Sequence, residues 1–156
     1  MSKRVGLILT TIFVMFAFSV APVMAQTCAE ADVMKAVNDA VAILEAKGEA
    51  GLAEVSAMKF CGDNYVFVND MGGKTLAHAM PHLIGKVLIE LKDDTGKRFF
   101  AEFAQIALSD KGEGWSEYRW TKPGEDKAKF FPKKSFIKKA KMGDQAVYAG
   151  AGVYLQ

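Results

Sequence analysis

Along AEADVMKAVNDAVAILEAKG, the apolar residues Val33, Val37, Val41 and Leu44 recur every three to four positions between charged and polar ones. That spacing predicts an amphipathic helix with one apolar stripe, stopped at Gly48. EAGLAEVSAM predicts a second, shorter helical piece over about residues 50–58. From Asn64 the period becomes that of a strand. Residues 65–68 are β-branched and aromatic, and NDMGGK supplies a turn in which Gly72 and Gly73 can take positive φ. Residues 75–79 give the return strand of an antiparallel hairpin. Pro81 then starts a short helix, HLIGKVLIEL, which Asp93, Asp94 and Gly96 interrupt. KRFFAEFAQIALS resumes the helical period with Phe99, Phe103, Ile106 and Ala107 on one face. In GWSEYRW, Ser116, Tyr118 and Trp120 fall on one side of a strand, with Trp115, Glu117 and Arg119 on the other. TKPGED is a turn, and residues 129–141 predict a strand bulged at Pro132. VYAGAGVYL closes the chain as a strand whose small residues mark a close approach to its backbone. The order is two helices, a hairpin, a helix pair and three antiparallel strands. It predicts an α+β chain with N-terminal helices packed on an antiparallel sheet of roughly five strands.

Residues 1–25 stand outside this pattern. Lys3 and Arg4 precede the uncharged run VGLILTTIFVMFAFSV, and the small residues Val23 and Ala25 close it. This is the layout of a secretory signal peptide cleaved near Ala25, which would make residues 26–156 an exported domain, periplasmic or secreted. An uncleaved membrane anchor is the alternative; Pro22 and the small-residue exit favour cleavage. Cys28 lies two residues too late for a lipoprotein. A chain of 156 residues suits one compact domain.

Removing the leader changes the charge. Without Lys3 and Arg4, the 20 basic residues become 18, equal to the 18 acidic ones. A balance near zero gives no support to a nucleic-acid partner. The distribution is uneven: residues 26–70 hold eight acids and three lysines, whereas 121–141 hold eight lysines and two acids. Both cysteines, Cys28 and Cys61, lie in the exported part, where an oxidising compartment would join them as a disulfide. With only His78 and His82 to add, they make a poor zinc site, and a redox pair would more often show C-x-x-C spacing.

Candidate chemistry is sparse. His78 ends the second strand of the hairpin. There it can offer a donor or acceptor to a bound anion, or bond local backbone and fix the corner; the residues leave both open. His82 reads as an exposed helix residue. Tyr118 and Trp120 share a strand face and can form either core or the wall of a small pocket. Lys133 can pair with a ligand carboxylate or serve, among so many lysines, as part of a solvated edge strand. Asp70, Gly72 and Gly73 lack the ligand spacing of a calcium loop and the lysine-serine ending of a phosphate cradle, and so predict a turn. Glu113, Glu117, Asp93 and Asp94 form no acid–base pair, and no serine or cysteine stands in a nucleophile setting. No catalytic residue, metal or cofactor is expected.

The stretch YVFVNDMGGKTLAHAMPHLIGKVLIELKDDTGKRFF carries a resemblance in Asp70, Gly73, Leu76, Ala77, His78, Leu83, Ile84, Gly85 and Lys86. It resembles the first half of a single Cache domain, the extracellular sensor module of bacterial chemoreceptors and histidine kinases. GWSEYRWTKPG, the lysine-rich KKSFIKK and the glycine-bearing AGAGVYL resemble its second half. Together they cover about residues 29–155. Two departures stand out. The family usually places proline directly after the histidine, whereas Ala79 and Met80 come first here. The sequence also ends at Gln156, with no transmembrane helix and no cytoplasmic output region after this stretch. The resemblance therefore implies a free-standing exported Cache type 2 domain over residues 26–156, with a PAS-like sheet. It implies a small-molecule ligand, a small organic acid or similar polar metabolite, bound near His78, Tyr118, Trp120 and Lys133. Signalling would pass through a separate membrane receptor or kinase partner. The competing expectation is a structural or surface-interaction module, with no small ligand, that uses the lysine-rich residues 122–141.

Overall fold

A computed structural model describes residues 28–155; the expected signal peptide lies outside them. No helix among the described residues is long and apolar enough to cross a membrane. Helix α1 (Glu30–Lys47) follows the stripe. Its first turn is tied down by Asp32, whose carboxylate accepts a hydrogen bond from Ala29 N at 2.9 Å. It ends at Gly48, which takes the positive φ of 58° that a residue with a side chain would resist. A single 3₁₀ turn and the short helix α2 (Leu52–Ala57) lead to the sheet.

The strands are β1 (Lys59–Phe60), β2 (Asn64–Asp70), β3 (Thr75–Ala77), β4 (Glu113–Trp120), β5 (Phe131–Met142) and β6 (Gln145–Tyr154), in one antiparallel six-stranded sheet. The order is β1-β2-β6-β5-β4, with β3 beside β2. The long β5–β6 hairpin turns at Gly143 and Asp144, with Gly143 at φ 61°. It supplies the centre of the sheet.

Alternation along these strands gives the sheet two unlike faces. Val66, Val68, Phe136, Ala140, Met142, Val147, Ala149 and Ala151 face α1 and meet its Val33, Val37, Val41 and Leu44 in a mostly aliphatic core. Tyr65, Phe67, Tyr118, Trp120, Ile137 and Tyr148 face the other way. They pack under helix α3 (Phe99–Leu108), which adds Phe99, Phe100 and Phe103. Gly150, also on this face, leaves room for the Phe67 ring to lie across β6: an added Cβ would press into that ring and into Ile137 Cδ1.

The structure departs from the pattern-based elements in three places. The expected helix HLIGKVLIEL shrinks to a 3₁₀ turn, Pro81–Leu83. Beyond it the chain runs through turns and one isolated bridge, Lys74 to Val87, along β3: Gly85 N donates to Thr75 O at 2.8 Å, and Thr75 N to Lys86 O at 2.9 Å. The sheet edge thus claims backbone groups that a helix would have used internally. β5 shows no bulge at Pro132, which pairs in register with Arg119. Nor is β5 an edge strand: it lies between β4 and β6. Only Gly73 of the 70–74 turn has positive φ, at 80°, while Asp70 Oδ1 accepts from Gly72 N and Lys74 N at 2.9 Å each.

A disulfide joins Cys28 to Cys61, with Cα atoms 5.6 Å apart, and so clamps the start of α1 to the β1–β2 turn. Its sequence separation of 33 residues corresponds to about 3–4 kcal/mol in the chain-entropy view. Replacing both cysteines by serine is expected to cost about 3 kcal/mol in urea unfolding, and a change below about 1 kcal/mol would refute that role. Gly150→Ala is expected to cost about 1–3 kcal/mol by overpacking Phe67 and Ile137; a neutral result would show that the aromatic face can relax around the methyl.

Candidate functional site

The aromatic face encloses a small cavity lined by Tyr65, Phe67, His78, Phe99, Phe100, Phe103, Tyr118 and Trp120. The space open to a water's centre is about 10 Å³, room for about one water molecule. Tyr118 is 6% exposed and Trp120 7%. The Tyr118 ring stacks on Phe99 with centroids 4.5 Å apart, and its hydroxyl shares a hydrogen bond with Ser135 Oγ at 3.0 Å. Trp120 meets Phe99 and Phe100 edge-on at 5.4 and 6.0 Å. It also lines an outer groove between the Pro81–Leu83 turn and residues 121–130.

Lys133 is the unusual member of this face. It sits on β5 opposite Tyr118 of β4 and Tyr154 of β6, and is 1% exposed. Its ammonium lies 4.0 Å from the centroid of the Tyr65 ring and 4.9 Å from that of Tyr154. Its Nζ has no hydrogen-bond partner among the described residues. Cation–π contacts of this kind contribute about 2 kcal/mol when desolvated, less than the several kcal/mol lost on burying an ammonium. Burial accordingly lowers the lysine to about 7. The expected solvated edge-strand role of Lys133 is thus corrected, because a central strand turns the side chain inward.

The Tyr65 hydroxyl is also buried and unpartnered; Tyr154 and Trp120 are its polar neighbours, and it completes a well-aligned hydrogen bond with neither. Asn69 Oδ1 and the Tyr148 hydroxyl, opposite each other on β2 and β6, are likewise unpartnered.

His78 follows β3 and is 4% exposed. Its Nδ1 accepts a hydrogen bond from Met80 N at 2.9 Å, which fixes the corner and places the ring proton on Nε2. Tyr65 flanks the imidazole at 4.8 Å and Phe67 at 6.2 Å. Burial, helped by the charge on Lys133 and by His82, lowers His78 to about 3, so the ring is neutral at ordinary pH and offers one N–H. His82 is exposed, as its position implied.

The remaining candidates are structural. Burial pushes Asp93 up, but hydrogen bonds from Thr95, Lys97 and Arg119 outweigh it and hold the carboxyl below its ordinary value. Oδ1 accepts from Thr95 N, Thr95 Oγ1 and Lys97 N, and Oδ2 from Arg119 N, so Asp93 pins the approach to α3 onto β4. The close group Cys28, Asp32 and Cys61 has both sulfurs in the disulfide, which leaves it unsuited to a metal. The lysines of 122–141 do not share one face. Lys133 points into the aromatic layer, whereas Lys134 reaches Glu30 at 2.6 Å and Lys138 reaches Glu113 at 3.0 Å. Sequence reasoning missed Tyr65, Phe67, Phe99, Phe100 and Phe103 as lining residues. The signal was present in β2, where aromatic Tyr65 and Phe67 alternate with Val66 and Val68.

Comparison with known proteins agrees with this architecture. The Cache domain family matches residues 52–156. The methyl-accepting chemotaxis protein McpP of Pseudomonas putida is 32% identical over 112 residues, which cover 71% of this chain and 20% of that protein. The chain thus spans about a fifth of the length of this curated relative. A solved periplasmic sensor domain of a chemotaxis protein superposes with a TM-score of 0.70 at 29% identity, covering 81% of this chain and 95% of that one. A second structure, described as the structural basis for carboxylic acid recognition by a Cache chemosensory domain, gives 0.69 at 27% identity over 80% and 91%. On the match to more than half of its length, the chain belongs to the Cache domain family and has the form of a chemoreceptor-type sensor domain.

Proposed function

We propose that this chain is an exported sensor domain that binds a small carboxylate between Lys133 and the adjoining aromatic cavity and presents the loaded state to a membrane receptor or kinase. The observation that carries this reading is the buried Lys133 ammonium without a partner. A buried cation of this kind is stabilised when an anion reaches it, so the free energy withheld in the free protein becomes available on binding. In this reading Lys133 Nζ and the Tyr65 hydroxyl meet the carboxylate, His78 Nε2–H donates to it, and Tyr118 and Trp120 wall the apolar end. A cavity with room for about one water must open even for acetate, and each added carbon displaces more of the aromatic rings, so acids of few carbons are favoured. The solved relative described by its carboxylic acid recognition is consistent with this. No step of bond chemistry is required. An interaction module working through residues 122–141 is less well supported, because its lysines are divided between the two faces of the sheet.

A thermal-shift and calorimetric screen of small carboxylates tests the proposal. At about a hundred times its dissociation constant, a binding acid adds about 2.7 kcal/mol to stability. Lys133→Met is expected to abolish that gain while raising the stability of the ligand-free protein by about 1–4 kcal/mol, because it removes a buried, unpaired charge. Full retention of carboxylate binding in Lys133→Met would sink the assignment of Lys133. Carboxylates that fail to stabilise the wild-type protein at any concentration would sink the whole reading.

A further inference from the structure

We infer that the site takes up its carboxylate together with a proton, so that above neutral pH it responds to the undissociated acid rather than to the anion. The inference rests on the proposed role of Lys133 as the carboxylate's partner. The groups facing Lys133 are Tyr65 from β2, His78 from the end of β3, Tyr118 from β4 and Tyr154 from β6. None of them is an acid that would hold the lysine charged. Lys133 also borders an outer groove with the cations Lys97 and Arg119 and the carboxylates Asp93 and Glu117. Asp93 gives both oxygens to Thr95, Lys97 and Arg119. Glu117 stands on the opposite side of β4, 4.0 Å from Lys134. The ammonium is therefore buried with no counter-ion among the described residues to keep its proton.

The other facing groups are silent across ordinary pH. His78, lowered to about 3, stays neutral. Burial raises all three tyrosines, Tyr154 to about 12. Lys133, brought by burial from 10.5 to about 7, is the facing group that changes charge between about pH 5 and 9. An arriving carboxylate supplies the missing anion and restores the affinity of Nζ for its proton. Above pH 7 the balance is one free amine, one carboxylate and one proton from solvent, giving one ammonium–carboxylate pair. The stoichiometry is the same wherever the proton sits within the pair. Because the product of proton and anion concentrations is proportional to the undissociated acid, occupancy tracks that species. Below pH 7 the lysine is already charged, and occupancy tracks the anion.

Titration calorimetry with acetate as the probe, in two buffers of different ionisation enthalpy, reads the proton directly. About one proton per acetate is expected at about pH 8 and almost none at about pH 6, with affinity about tenfold weaker at the higher pH. Without ligand, stability should rise as pH goes from about 7 towards 10, because the unfolded lysine keeps its proton there and the folded one does not; saturating acetate should remove that slope. Acetate binding with equal heats in both buffers and a flat affinity would overturn the inference and leave carboxylate binding intact. No heat at either pH, for acetate or its near homologues, would overturn both. A ligand-free ¹³C NMR titration of Lys133 Cε gives an independent check: a midpoint near 7 is expected, and one above about 9 would contradict it.

Discussion

An ammonium group held between tyrosine rings, with no counter-ion among the described residues, is the constraint around which this sheet is organised. Lys133 reaches that position because β5 is central and its odd-numbered residues face away from α1. The nearby rings of Tyr65 and Tyr154 soften the burial without cancelling it. A core arranged only for stability would place an apolar side chain there, as it does at Ile137 four residues on.

The two faces of the sheet divide the work. Against α1, valine, alanine and leucine fill an aliphatic layer that resembles any well-packed core. Against α3, the side chains are large, flat and partly polar, and four buried side-chain atoms in the sheet lack partners among the described residues. β5 and β6 contribute to both layers, so the aliphatic side fixes the strands on which the aromatic side depends. Two local devices hold the cover in place. Asp93 ties the approach to α3 onto β4, and the His78–Met80 bond sets the corner after β3. The disulfide fastens the other face, closing α1 against the β1–β2 turn.

Much of this was legible in the sequence because periodicity survives folding. The α1 stripe, the β2–β3 hairpin, α3 and the alternation of Ser116, Tyr118 and Trp120 appear where their spacing places them. The failures have physical causes. HLIGKVLIEL has helical spacing, but its backbone is worth more to the exposed edge of β3 than to itself. The two-residue strand β1 is too short to carry a period. Lys133 was the harder case: charge argues for solvent, and only strand order shows that β5 has no free edge. His78 sits at the expected corner, where its Nδ1 bonds Met80 N, and the sequence could not show that this leaves Nε2 as the nitrogen free for another partner. The tyrosine and phenylalanine lining looked like ordinary core because, chemically, most of it is.

A high-resolution crystal structure of the protein grown with acetate would test the central claim most directly. Acetate oxygens about 3 Å from Lys133 Nζ, beside the Tyr65 ring, are the predicted result. Acetate density elsewhere, with Lys133 paired to one of the chain's own carboxylates, would contradict it.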